Sequence, residues 1–175
     1  SIMTIKTIIT EPNEILRQVS KPVSSVGNEE RKLMDDMLET MYAANGIGLA
    51  AIQIGIPKRI IVMDILKDGE KNPMYFVNPT IKNKDKEKTT YEEGCLSVPD
   101  YFAEVDRPKY CEVEYLNYNG ENKILRADGL LATCIQHEMD HLEGILFIDY
   151  LSKLKKTMIV KKLSKRKNPP DRIIV

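Results

Sequence analysis

Between residues 28 and 44 the apolar positions fall at helical spacing. Leu33, Met34, Met37, Leu38 and Met41 form one stripe among charged residues, with Asn28 placed to cap the start and Asn45-Gly46 to end it. A glycine-rich stretch follows. Arg59 to Asp64 is then a short β-branched run that reads as a buried strand, and Met74 to Ile81 reads as another. From Tyr110 to Tyr118 the pattern alternates, with Cys111, Val113 and Tyr115 on one face and Glu112 and Glu114 on the other. Asn119-Gly120 predicts a two-residue hairpin turn, and Asn122 to Arg126 the returning strand. Asp128 is placed to cap a second long helix, Leu130 to Glu143, closed by Gly144. A last helix is predicted from Leu151 to about Lys165, before Pro169-Pro170. Strands and helices are segregated, which predicts an α+β fold. Residues 1–165 read as a single catalytic domain and 166–175 as a short polar tail.

The 26 basic and 26 acidic residues cancel, so any attraction to nucleic acid or anionic lipid needs a local patch, and the lysine-rich C-terminal helix is the candidate. Its lysines read first as a solvated face. Three cysteines without a CxxC pair suit a reducing compartment, so a cytoplasmic protein is expected. Glu11, Pro12, Asn13 and Glu14 interrupt the N-terminal stretch, which argues against a signal-peptide core. With no apolar run of 18 residues, no membrane span is predicted.

The second helix carries the chemistry. In Gln136-His137-Glu138-Met139-Asp140-His141 the histidines are four apart, so on a helix they differ by about 40° and 6 Å of rise and can converge on one ion. Glu138 lies about 100° round the helix, beside such an ion, where a carboxylate can take a proton from water. These are the only 2 histidines in the chain, and this spacing with the glutamate arises by chance roughly once in a thousand. A catalytic site of this type wants a third protein ligand. Phe147 occupies the position six residues after His141, where a third histidine could stand, and no glutamate follows Glu143.

An upstream soft ligand is therefore indicated. Cys111 lies on the apolar face of a strand and reads as a packed core thiol. Cys134 shares the histidine face, but its short side chain starts a turn below His137, so it reads as cavity wall. Cys95, bracketed by Gly94 and Pro99 in a segment with no helical or strand period, is favoured as the third ligand over a buried loop thiol. Gly46-Ile47-Gly48-Leu49-Ala50-Ala51, with Asp64 downstream, imitates a dinucleotide-binding segment. However, that turn must follow a strand and open a helix, whereas here a helix enters and a strand follows, so NAD is not expected. Gln53 is a lone amide in an apolar run and needs a partner if buried; facing a metal site, it could donate to a developing oxyanion.

Three segments, Gly46 to Gln53, Glu93-Gly94-Cys95-Leu96-Ser97 and Gln136 to His141, occur in this order, and together they resemble peptide deformylase. The resemblance implies mostly antiparallel sheets packed around a central HExxH helix, with one helix N-terminal and another C-terminal to it. It implies a hydrolase that removes the N-formyl group from formyl-methionyl nascent peptides and releases formate. It assigns Cys95, His137 and His141 to one divalent metal ion, with Fe2+ native and Zn2+, Ni2+ or Co2+ able to occupy the site. Glu138 becomes the acid/base, and the Gln53 side chain and Leu96 N–H the oxyanion donors. Ile47, Leu130 and Cys134 become the methionine pocket, with Gly48, Glu93 and Gly94 also against substrate. Docking of the basic C-terminal helix on the ribosome is implied as well. Phe102 departs from the resemblance, because some bacterial relatives carry a basic residue there.

Overall fold

Methionines seat the first helix on the sheet. In the computed structural model, which describes residues 4–166, helix α1 (Asn28–Ala43) buries Met34, Met37 and Met41, and truncating one such side chain to Ala costs about 2–5 kcal/mol. The expected cap at Asn28 is corrected: Gly27 is the capping residue, and Glu30 accepts its N–H at 2.8 Å. Asn28 lies inside the first turn, where its side chain takes a hydrogen bond from Arg31.

Strands β1 (Gly48–Ala50), β2 (Ile60–Met63), β3 (Met74–Lys84), β6 (Tyr110–Leu116) and β7 (Asn122–Asp128) form one antiparallel sheet in the order β1-β2-β3-β6-β7. All four residues of β2 are buried because the sheet is covered on both faces. On one side Ile60, Val62 and Val77 pack with the α1 methionines. On the other, Ile61, Met63, Phe76, Cys111 and Val113 pack with Ala132 and Ile135 of helix α2 (Gly129–Leu142). A helix covered by a sheet along one side can present the other side to a cavity, and α2 does so.

Strands β4 (Lys88–Cys95) and β5 (Val98–Pro108) pair separately as a hairpin. The segment around Cys95, expected to lack strand character, is thus the closed end of a hairpin, with Cys95 opposite Val98 and a register shift after Gly94. Val98, Ala103 and Val105 pack against Leu146, Phe147 and Ile148, and against Ile159 and Leu163 of helix α3 (Lys153–Ser164). That helix begins two residues later than expected, capped by the Ser152 hydroxyl. The β6–β7 turn is also longer than the Asn-Gly signal predicted. Leu116 pairs with Asn122, and the Asn117 side chain organises the loop by accepting the N–H groups of Asn119 and Glu121. Asp128 holds the capping position of α2, but its side chain makes no capping bond. The expected tail from Lys167 onward lies outside the described residues. Among the described residues, no helix is long and apolar enough to cross a membrane.

Candidate metal centre and active site

Helix α2 delivers His137 and His141 side by side on one face, their rings edge to face with centroids 5.2 Å apart. The β4–β5 hairpin delivers Cys95 from the opposite side, with Sγ 3.4 Å from His141 Nε2. One potential ligand atom from each of Cys95, His137 and His141 falls within 4.8 Å of the other two. One thiol and two imidazoles match a divalent transition metal in chemistry and in number, leaving a coordination position for water or substrate.

What surrounds the trio also fits an ion. His137 Nδ1 donates to Glu93 Oε1 at 2.8 Å, which fixes the tautomer that leaves Nε2 free to ligate. Burial drives the His141 pKa well below its ordinary value, so His141 is a neutral imidazole ready to coordinate. Burial pushes Cys111 up to about 11. Burial and then Glu138 raise the Cys134 thiol well above its usual value, so both remain neutral. Cys111 is in the core, as expected, and Cys134 lines the cavity wall.

Glu93 was expected against substrate. It belongs to the cavity lining, with its carboxylate turned to His137 and to Arg107, which binds it through two nitrogens at 2.6 and 2.9 Å. Burial would raise its pKa, but these partners hold it below the usual carboxylate range. Arg107 also donates to Asp140 at 2.8 Å, and Asp140 accepts the Tyr150 hydroxyl at 2.7 Å. Arg107, Asp140 and Tyr150 were missed at the sequence level. The available signal was Arg107 itself, the one charge among the inward positions Ala103, Val105 and Arg107 of β5, but that alternation is visible only once the hairpin is recognised.

A cavity of about 490 Å³ opens in front of the trio. Ile47, Gly48, Gly94, Leu96, Leu130 and Cys134 line it, with Gln53 and Glu138. Glu138 is buried and its Oε1 has no hydrogen-bond partner among the described residues. Burial pushes its pKa up to about 7. Gly48 has a steric role here, because a Cβ at that position would lie 2.5 Å from Glu138 Oε2. Buried Gln53 is fixed at both ends of its amide: Oε1 accepts the Ala50 N–H at 2.9 Å, while Nε2 donates to Ser97 Oγ at 3.0 Å and lies 3.7 Å from Cys95 Sγ. Leu96 sits in the two-residue turn of the hairpin, beside Cys95. The glycine segment runs into β1 rather than opening a helix, and Asp64 is spent on Tyr42, Leu66 and Asn72.

A family model described as polypeptide deformylase matches residues 5–157. The chain belongs to the polypeptide deformylase family. Members of this family are metal-dependent hydrolases. The peptide deformylase of Pelagibacter ubique (strain HTCC1062) is 73% identical over 99% of this chain and 100% of its own length. That of Rhizobium meliloti (strain 1021) is 56% identical, covering 93% of this chain and 94% of its own. Solved deformylases share the fold. The Ehrlichia chaffeensis enzyme in complex with actinonin superposes with a TM-score of 0.91 at 44% identity, covering 95% of this chain and 99% of that one. An Acinetobacter baumannii deformylase with Met-Ala-Ser bound gives 0.80 at 35% identity, over 86% of this chain and 100% of that one. The α+β architecture expected from the sequence is therefore that of the deformylases.

Proposed function

We propose that this deformylase removes the formyl group from formyl-methionyl nascent peptides at a divalent ion held by Cys95, His137 and His141. The observation that carries the reading is the convergence of the sulfur and the two imidazoles within 4.8 Å, beside a buried carboxylate and at the back of a cavity. When bound, the ion supplies a Lewis acid and an activated water. Glu138 accepts the proton of the attacking water and passes it to the departing amine nitrogen; a pKa near 7 suits a group that must both take and give a proton at neutral pH. Gln53 Nε2 and the Leu96 N–H donate to the oxygen of the former formyl carbonyl as it gains negative charge. Gln53 is suited to this because its amide is held at both ends before substrate arrives.

Ile47, Leu130 and Cys134 receive the methionine side chain, a reading supported by the Met-first tripeptide in the A. baumannii relative. Gly48 and Gly94 meet the substrate from the cavity lining, while Glu93 acts through His137. Thiolate and imidazole ligands suit Fe2+, Zn2+, Ni2+ and Co2+ alike; the assignment of Fe2+ rests on the family likeness. Residues 1–165 act as one catalytic unit in the cytoplasm, and the lysines of α3 meet the ribosome near emerging chains. Ribosome co-sedimentation that weakens with salt would support that last point.

Metal analysis of anaerobically purified protein, paired with a formate-release assay, tests the whole reading. A formyl-methionyl peptide should release formate and an acetyl-methionyl peptide should not, since only hydrogen flanks the far side of a formyl carbon. Loss of activity on chelation and recovery with Fe2+ is expected. Full activity in metal-free protein would refute the reading.

A further inference from the structure

Along β5 the side chains alternate, with Ala103, Val105 and Arg107 inward and residues 102, 104 and 106 outward. The outward positions Glu104 and Asp106 are charged, but Phe102 is not, and it stands 63% exposed. Its cross-strand partner is Gly94, the residue before Cys95. A Cβ at position 94 would overlap the Phe102 ring, so the glycine lets the ring lie across the strand at the cavity. Among the described residues, Phe102 and Leu130 (43% exposed) are the large, exposed apolar side chains that line this cavity. No lysine or arginine is among its described lining residues. Asp100 and Glu92 belong to the lining, and Glu104 pairs with Glu92 across the strands.

We infer that Phe102 reads the residue that follows methionine and selects formyl-methionyl chains whose second side chain is apolar. The inference rests on the hydrolase reading above. In an extended peptide successive side chains point to opposite sides. With the methionine side chain against Ile47, Leu130 and Cys134, the next one turns to the mouth, where the exposed Phe102 ring is the apolar surface it meets. Covering an aromatic ring removes apolar area from water, and the contact is worth about tenfold in kcat/KM at the low end for a partly open subsite. An acidic second residue meets Glu92 and Glu104 at this rim, Asp100 being paired with Arg166 at 3.4 Å, and is disfavoured further.

The test uses metal-loaded enzyme and four peptides, formyl-Met-Leu-Ser, formyl-Met-Gly-Ser, formyl-Met-Asp-Ser and formyl-Met-Lys-Ser, with formate release as the signal. For the native chain, kcat/KM should be about tenfold higher for leucine than for glycine, mostly through KM, and lowest for aspartate. Phe102→Ala should bring the leucine-to-glycine ratio within about twofold, Phe102→Leu should keep most of it, and Phe102→Arg should favour aspartate. Ile124→Ala, which removes an exposed apolar side chain on β7 away from the cavity, should leave all ratios as they were. A native ratio near one, a ratio that survives Phe102→Ala, or lysine outrunning leucine would overturn the inference while leaving the hydrolase reading intact. Absence of formate from all four peptides would overturn the hydrolase reading, and this inference with it.

Discussion

Arg107 makes the sharpest demand on the site. It is 4% exposed, and its guanidinium sits between Glu93 (2.6 and 2.9 Å) and Asp140 (2.8 Å). Replacing it with leucine leaves the Glu93 carboxylate, 6% exposed, with only His137 to answer its charge. Removing one partner of a buried pair costs about 3–5 kcal/mol, because the remaining charge is stranded away from water. That is a large fraction of the roughly 5–15 kcal/mol of a whole domain. The Arg126–Glu112 pair provides the contrast: its arginine is 65% exposed, so Arg126→Leu should cost less than about 1 kcal/mol. Urea unfolding of metal-stripped protein measures both without the contribution of ligand binding. Adding Glu93→Gln to Arg107→Leu removes the stranded charge and should recover part of the loss. Because Glu93 holds the His137 ring, chelator competition should also show metal affinity about 10- to 100-fold weaker in Arg107→Leu. The reasoning is refuted if Arg107→Leu is as mild as Arg126→Leu, or if the double variant is no more stable than the single.

Further outcomes follow from the same geometry. Gly48→Ala should fold and keep its metal yet lose about a hundredfold or more in kcat, because the new methyl group displaces Glu138; near-native turnover would show that Glu138 tolerates the shift. Gln53→Ala should lower kcat about a hundredfold, one oxyanion donor being worth about 3 kcal/mol, with metal content unchanged by elemental analysis. Glu138 works as a base only when ionised, and burial raises its pKa to about 7. Protonation therefore removes the base as pH falls, and a bound cation lowers the titration point. In a kcat/KM profile the acid limb should lie at or below about pH 7, falling tenfold per unit, and should vanish from the residual rate of Glu138→Gln; an unchanged limb in that variant would assign it to another group.

Local chemistry was legible in the sequence wherever neighbours along the chain are neighbours in space. His137, Glu138 and His141 share a helix, so their spacing alone states their geometry, and the alternation of Cys111, Val113 and Tyr115 states the buried face of β6. Arg107 and Glu93 meet across two strands, 14 residues apart, at a register no local pattern reveals. The β4 strand was hidden for a related reason: Thr89, Thr90, Tyr91, Glu92 and Glu93 carry little apolar alternation, because this hairpin buries mainly its β5 side. The long β6–β7 loop was misread because Asn117, not Asn119-Gly120, supplies the organising hydrogen bonds. Cys95 could be favoured by elimination, but its place opposite His141 depends on how the hairpin closes.

The sulfur comes from a two-stranded hairpin and both nitrogens from a helix seated on a different sheet, so a bound ion is also a rivet between two separately hydrogen-bonded pieces. Taking the rivet out should loosen one piece more than the other. Amide deuterium uptake in the β4–β5 hairpin ought to quicken on demetallation, while β2, enclosed by both helices, stays protected. The enzyme would then register an empty centre as a softened rim long before the rest of the fold gives way.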